Sequence, residues 1–204
     1  MKGYLVGCIR ISVAFSMLAF YGCETVDTKA TAKRVSTRTE LIGGPSALGE
    51  VGDFILQNKY IRAVVQDKGF SRGFGVHGGS LIDIDRVRVA NEGDSAGGRG
   101  FDQFGELFPI AFLQALVPER VEIVNDGSDG GEALVRLFGT GGDFFSLTKA
   151  LNQAILNSHE LPEFELDALN ATGLNGAPTV GYDVTYGLKP DTRYIRITVR
   201  MTNI

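Results

Sequence analysis

The sequence contains no tryptophan, and it has only two cysteines and two histidines among its 204 residues. Disulfide-rich scaffolds and multi-cysteine zinc modules need more cysteines than this, so both classes are excluded. A surplus of basic residues is also lacking, since 20 Lys and Arg stand against 24 Asp and Glu. Because nucleic-acid phosphates are bound by basic surfaces, we expect no nucleic-acid partner.

Glycine is the over-represented residue. The chain has 27 glycines, roughly twice the usage of about 7% in average proteins. Hydrophobic residues make up 44% and charged residues 22%, which is the balance of a chain able to bury a core. This composition predicts one folded domain whose extended segments are separated by glycine-containing turns.

Residues 1–22 have the organisation of an export signal. Lys2 and Arg10 carry the only charges, and residues 11–22, ISVAFSMLAFYG, form an uncharged apolar run that ends in a small residue. A transmembrane helix needs about 20 apolar residues, so this run is too short for a permanent span. We therefore expect residues 1–22 to be a cleaved secretory signal peptide.

The residues at the expected cleavage point resemble a bacterial lipoprotein signal. Residues 20–23, FYGC, are similar to the lipobox, in which the cysteine is acylated and becomes the mature N-terminus. The resemblance implies lipidation of Cys23 and membrane attachment of the exported chain through acyl groups. The residue after the cysteine is Glu24 and not an aspartate. By resemblance to bacterial lipoproteins, this favours an outer-membrane lipoprotein of the cell envelope. The alternative is an ordinary signal peptide that contains a cysteine.

The sequence pattern of the remaining residues predicts a tether followed by a β-rich domain. Residues 24–40 are polar and rich in threonine, so residues 23–40 are predicted to be a flexible tether. Short runs of β-type residues separated by turn signals follow, and they predict a mostly-β antiparallel sandwich over residues 41–204. The predicted strands are 53–57, 60–66, 80–85, 120–124, 133–138, 182–188 and 193–202.

One segment has helical periodicity. Leu147, Leu151, Ala154 and Ile155 fall on one helical face, and Asp143 stands where it could cap the first turn. A single helix is therefore predicted over residues 143–157.

The last predicted strand alternates most regularly. Arginine, threonine and tyrosine occupy one face of residues 193–202, and aliphatic residues occupy the other. Such an apolar strand needs a neighbour, and the sequence stops directly after it. We therefore expect an incomplete sandwich, with the chain as the front piece of a longer protein.

Three stretches together resemble a known family. They are residues 52–65 (GDFILQNKYIRAVV), residues 78–83 (GGSLID) with 104–109 (FGELFP), and residues 186–192 (YGLKPDT). This order is similar to the N-terminal region of large exported bacterial proteins, often lipoproteins, with a galactose-mutarotase-like β-supersandwich. A PHP-type metallohydrolase domain follows that region in some relatives. The resemblance covers residues 41–204 and implies carbohydrate as the ligand class.

His77 and Glu106 are the candidate catalytic pair. His77 lies in the glycine-rich stretch 69–79, GFSRGFGVHGG, and an exposed histidine beside carboxylates can act as a general base. Mutarotase-like enzymes use a histidine with a carboxylate, so the resemblance implies His77 with Glu106. The alternative is that His77 is a solvated loop residue and Glu106 a surface charge.

A second set of residues is predicted to bind a ligand around the glycine loops. Asp83, Asp85 and Asp102 are carboxylates that could bind sugar hydroxyls, and Phe74 could stack on a sugar ring. The alternative roles are turn capping and surface charge for the aspartates, and core packing for the phenylalanine. The two histidines, His77 and His159, lack metal-ligand spacing, so we expect no metal site and no cofactor.

These observations favour an exported, lipid-anchored binding or scaffolding module over an enzyme. Carbohydrate is the expected ligand class, by resemblance. The enzymatic alternative is epimerase-like or lyase-like work on a sugar by His77 and Glu106. A structural protein of the cell envelope is the second alternative.

Overall fold

The computed structural model of the chain describes residues 29–88, 100–111, 114–144 and 180–204. Strands dominate these residues, and they form two antiparallel sheets. The first sheet contains β1 (Thr31–Arg34), β2 (Phe54–Gln57), β3 (Ile61–Val65) and β4 (Leu81–Arg86). The second contains β5 (Ile110–Ala111), β6 (Gln114–Asn125), β7 (Ala133–Asp143), β8 (Val180–Leu188) and β9 (Arg196–Asn203). The predicted mostly-β, antiparallel fold class is confirmed.

Neighbouring strands in both sheets are consecutive in the chain. The orders are β1-β2-β3-β4 and β5-β6-β7-β8-β9. At the predicted break between β2 and β3, Asn58 Oδ1 accepts hydrogen bonds from the backbone N–H groups of Tyr60 and Ile61. The Asn58 amide also donates to the carbonyls of Lys189 and Thr192. One side chain therefore ties the first hairpin to the turn between β8 and β9.

The main core lies between the two sheets. Successive residues of a strand point to opposite faces, so β7 and β8 each present every second residue inward. Tyr186 is fully buried there, and its hydroxyl donates to the Gly79 carbonyl at 3.1 Å. The inward residues of these two strands are Ala133, Val135, Leu137, Val180, Tyr182, Val184, Tyr186 and Leu188, and they pack against Phe54, Leu56, Ala63, Val65 and Leu81 of the first sheet.

The first sheet is also covered on its other face. Val35, Leu41 and Ile42 pack on Ile55, Val64 and Ile82, with Leu48 against them. This second apolar cluster explains why all five residues of β3 are buried. We call residues 41–49 the cover segment, because they lie over the outer face of the first sheet.

β9 is the outer strand of the second sheet. Its predicted alternation is confirmed, since Ile197 and Val199 pair with the inward-facing Tyr186 and Val184. Val199 and Met201 are nevertheless 37% and 53% exposed. The core side of β9 is therefore only partly covered.

The tether predicted over residues 23–40 is wrong for its described part, residues 29–40. Thr31–Arg34 is β1, which pairs with β2, and Ala32 is 4% exposed. A turn of 3₁₀ helix, Arg38–Glu40, follows, and the Glu40 carboxylate accepts the N–H groups of Ser36 and Thr37. An edge strand that buries only alanine carries almost no hydrophobic signal, which is why its polar outward residues suggested a linker.

Some predictions fall outside the described residues. The signal peptide at 1–22, the lipid site at Cys23 and residues 145–157 of the predicted helix are among them. Asp143, the predicted helix cap, is the last residue of β7. Within the described ranges, no helix has the length and hydropathy needed to cross a membrane.

A pair of substitutions tests the position of β1. Ala32→Asp should lower the free energy of unfolding by about 3 kcal/mol or more, because it buries an unpaired carboxylate. The neighbouring Thr31→Asp is the control, and it should cost at most about 1 kcal/mol because Thr31 is exposed. Urea denaturation measures both. Equal, small effects would mean that this segment is a tether after all.

Candidate functional site

Asp83 lies on β4 and anchors the cover segment. It is completely buried, and its two carboxylate oxygens accept hydrogen bonds from the backbone N–H groups of Leu48 and Gly49, both at 2.7 Å. A Cβ at Gly49 would lie 2.7 Å from Asp83 Oδ2, which is too close for any other residue. Glycine at this position therefore permits the contact between the loop and the carboxylate.

Asp102 binds the other end of the same segment. Its side chain accepts the N–H groups of Phe104 and Ile84, and its backbone exchanges hydrogen bonds with Gly43 and Ser46. The residue is 1% exposed. Its second oxygen, Oδ2, is buried and has no hydrogen-bond partner among the described residues.

The environment of these two carboxyl groups favours the protonated form. Burial raises the pKa of Asp83 to about 6, and the N–H groups of Leu48 and Gly49 offset part of that rise. Burial likewise raises the pKa of Asp102. The charge of Asp102 adds to the rise in the Asp83 pKa, and we refer to the two groups as the carboxyl pair.

The predicted acidic ligand set is therefore part of the protein interior. Asp85 lies beside the pair, pairs with Arg88 at 2.9 Å and accepts the Phe101 N–H at 2.8 Å. Asp83 and Asp102 have no surface that a dissolved ligand could contact in this conformation. In the structure, all three aspartates accept hydrogen bonds from backbone N–H groups of loop residues. No group of three potential metal ligands converges within the ranges that the structure describes.

Glu106 is also enclosed by a loop. Its Oε1 accepts the hydroxyls of Ser71 and Ser80, both at 2.6 Å, and its Oε2 accepts the Gly75 N–H. A Cβ at Gly73 would overlap the same carboxylate. The glycine-rich stretch 69–79 is thus folded around Glu106, and both carboxylate oxygens are engaged.

His77 points elsewhere. Its Nε2 lies 2.9 Å from where a Cβ would stand on Gly142 of β7, and burial lowers the pKa of the imidazole. Among the described residues, no hydrogen bond or ion pair joins His77 to Glu106. The structure does not assemble the predicted catalytic pair.

Phe74 lies on the surface. Its ring is 77% exposed, and it contacts Phe144 at 6.1 Å between ring centroids. Phe108 contacts Phe144 from another direction at 5.6 Å. The Phe74 ring is accessible for stacking, which was its predicted role, although it lies apart from the buried aspartates.

The outer face of the second sheet carries a groove that the sequence did not reveal. Its volume is about 260 Å³. Charged and hydroxyl side chains reach the groove because the outward positions of β7, β8 and β9 alternate with the core residues, and Val124 and Leu134 supply apolar surface beside them. We call it the arginine groove, and its lining residues are Val124, Leu134, Arg136, Asp183, Thr185, Arg196, Thr198 and Arg200.

Two ion pairs fix the arginine groove. The Arg136 guanidinium donates to both oxygens of Asp183, at 2.8 and 2.5 Å, and it holds the pKa of that carboxyl below its usual value. Arg196 forms the same two-pronged contact with Glu132, at 2.9 and 2.7 Å. Arg200 lines the groove without a hydrogen-bond or ion-pair partner among the described residues. Arg200 stands opposite Asp183 in the sheet, and its charge also helps to lower the pKa of that carboxyl. Because no hydrogen bond to a described residue holds this guanidinium, its N–H groups remain available to a ligand.

Sequence reasoning recognised the polar face of β9 and missed its neighbours. Arg196 and Glu132 are 64 residues apart, and Arg136 and Asp183 are 47 apart. Only the order of the strands brings these residues together. The available signal was the alternation of arginine and threonine along β9, which marked an outward face.

Comparison of the chain with protein-family models, with curated proteins and with solved structures finds no match. The structure is that of a mostly-β protein with a groove lined by charged residues on one sheet.

The role of Glu106 can be tested by stability. Glu106→Ala should lower the free energy of unfolding by about 2 kcal/mol or more, because it leaves two hydroxyls and one N–H without their acceptor. Glu119→Ala, at an exposed position on β6, is the control and should change stability by less than about 0.5 kcal/mol. If urea denaturation gives the same value for both variants, Glu106 does not hold the loop.

Proposed function

We propose that the chain is an exported, lipid-anchored binding module, and that its ligand is an acidic carbohydrate bound in the arginine groove. The observation that carries this proposal is the Arg200 guanidinium, which makes no hydrogen bond to a described residue and lies beside two fixed ion pairs. Export and anchoring rest on the signal-like residues 1–22 and on Cys23. The carbohydrate class follows from the family resemblance, and the acidic character follows from the groove.

The chemistry of the groove suits a sugar acid. A guanidinium binds a carboxylate through two parallel hydrogen bonds. Asp183 and Glu132 neutralise two of the three arginines of the groove, so Arg200 supplies its remaining positive charge. The hydroxyls of Thr185 and Thr198 can exchange hydrogen bonds with sugar hydroxyls. Because ion pairs with Asp183 and Glu132 already hold Arg136 and Arg196, the side chains of these two arginines lose less conformational entropy when a ligand binds.

The alternatives receive less support. An epimerase or lyase would need His77 and Glu106 to act together, but both Glu106 oxygens are engaged by the loop, and the described part of the chain shows no hydrogen bond or ion pair between the two side chains. A purely structural role in the cell envelope needs no groove. That role becomes the favoured one if no glycan binds.

Binding of an acidic glycan should depend on Arg200. By calorimetry, polygalacturonate oligosaccharides should bind the chain, and Arg200→Ala should weaken binding about tenfold or more, since a hydrogen bond to a charged group contributes about 1.5–3 kcal/mol. Uncharged dextran should not bind. Higher ionic strength should weaken the interaction.

The matched control for this experiment is Lys68→Ala. Lys68 is exposed between β3 and β4, so its removal changes net charge as Arg200→Ala does and leaves the groove intact. Equal weakening by both variants would indicate attraction to overall charge only. Absence of binding by the unaltered chain would refute the proposed ligand.

Lipidation can be tested separately, because the chain offers two cysteines. In a Gram-negative host grown with labelled palmitate, the unaltered chain and Cys8→Ala should incorporate the label, whereas Cys23→Ala should not. The reason is that only Cys23 occupies the lipobox position. Label that persists in Cys23→Ala, or no label in any chain, would contradict the anchor.

A further inference from the structure

We infer that the ligand of the arginine groove is a polymeric sugar acid and not a single sugar, and that Arg120 binds a second carboxylate of the same polymer outside the groove. The inference rests on the proposed function and extends it to a second subsite. Its basis is a row of outward side chains that crosses the second sheet from β6 to β9.

The register of the second sheet places Arg120 and Arg200 in one row. Arg120 of β6 stands opposite Phe138 of β7. Phe138 stands opposite Asp183 of β8, and Asp183 opposite Arg200 of β9. All four side chains point away from the core, because their neighbours along each strand face it. Since adjacent strands lie about 4.8 Å apart, the two arginines stand about 14 Å from each other.

An aromatic ring orients the arginine at the β6 end of the row. The Arg120 guanidinium lies over the Phe138 ring, 4.7 Å from its centre, and the Arg136 guanidinium lies 4.3 Å from the same centre. A guanidinium stacked on a ring keeps the N–H groups at its edge available for a two-pronged contact with a carboxylate. Stacking on Phe138 therefore restricts the Arg120 side chain without occupying its donors.

The carboxylates near this row leave both of its arginines able to bind an anion. Glu122 contacts Arg120 Nε at 3.4 Å, and both side chains are partly exposed. An exposed ion pair contributes little free energy, so a ligand carboxylate can replace Glu122 at Arg120. Asp183 accepts both hydrogen bonds from Arg136. Neither Arg120 nor Arg200 donates to Asp183 in the part of the chain that the structure describes.

Two separated guanidinium groups favour a ligand with repeated charges. A single sugar acid has one carboxylate and can contact only one end of the row. A polymer of sugar acids has a carboxylate on every unit, so one unit can bind Arg200 while a later unit binds Arg120. The second contact is then intramolecular, and it adds affinity at little further cost in translational freedom. Affinity should therefore rise with ligand length until the ligand spans the row.

An NMR titration of the full chain with galacturonic acid and with its hexamer tests this. Arg120→Ala should weaken binding of the hexamer about tenfold or more, since it removes hydrogen bonds to a charged group. It should leave binding of the monomer at Arg200 unchanged. Arg200→Ala should weaken binding of both ligands, and Lys68→Ala, the charge control, should leave both affinities nearly unchanged.

Glu122→Gln is the complementary variant, because it removes the carboxylate that competes for Arg120 and keeps the size of the side chain. It should strengthen binding of the hexamer by up to about fivefold, the factor that corresponds to an exposed ion pair. Binding of the monomer should not change. A gain of affinity in this variant cannot result from damage to the fold.

The side-chain Nε–H signals of Arg120 and Arg200 give a reading that does not depend on affinity, and both should shift when the hexamer binds. Equal effects of Arg120→Ala and Lys68→Ala on the hexamer, or an Arg120 signal that the hexamer leaves in place, would overturn the second subsite while the groove remains a binding site. If neither the monomer nor the hexamer binds, the proposed function fails and the second subsite fails with it.

Discussion

Backbone N–H groups that donate to buried or half-buried carboxylates hold loops of this protein against its sheets. A buried loop must find partners for its polar backbone groups, and Asp83, Asp102 and Glu106 supply acceptors at three places. The loops contain glycine where a side chain would collide with these carboxylates, as at Gly49 and Gly73. The high glycine content is therefore partly explained by the interior of the protein, without reference to a bound ligand.

The two sheets differ in how many of their faces are covered by other described residues. The first sheet is buried on both faces, by the second sheet and by the cover segment. The second sheet has one buried face, and its outer face carries the arginine groove. The groove residues point away from the core, so their side chains can be exchanged without disturbing the packing between the sheets.

The sequence predicted those parts of the fold in which one residue type alternates with another. β2, β3, β8 and β9 were found in this way, because their apolar residues alternate or run together and turn residues flank them. β1 was missed, since its one inward residue, Ala32, is small. The burial of Asp83 was also missed, because a carboxylate in the sequence does not reveal its solvent exposure. The aliphatic residues on both sides of it, Ile82 and Ile84, were the available signal.

The exposed core side of β9 has a practical consequence for anyone who purifies this protein. Val199 and Met201 are partly uncovered, and the outer strand of a sheet presents unsatisfied backbone groups to which other strands can add. The formal net charge of −4 provides little mutual repulsion between molecules, particularly in concentrated salt. Among the described strands, β9 therefore offers an edge at which molecules can associate, and dilute, low-salt storage suits the protein best.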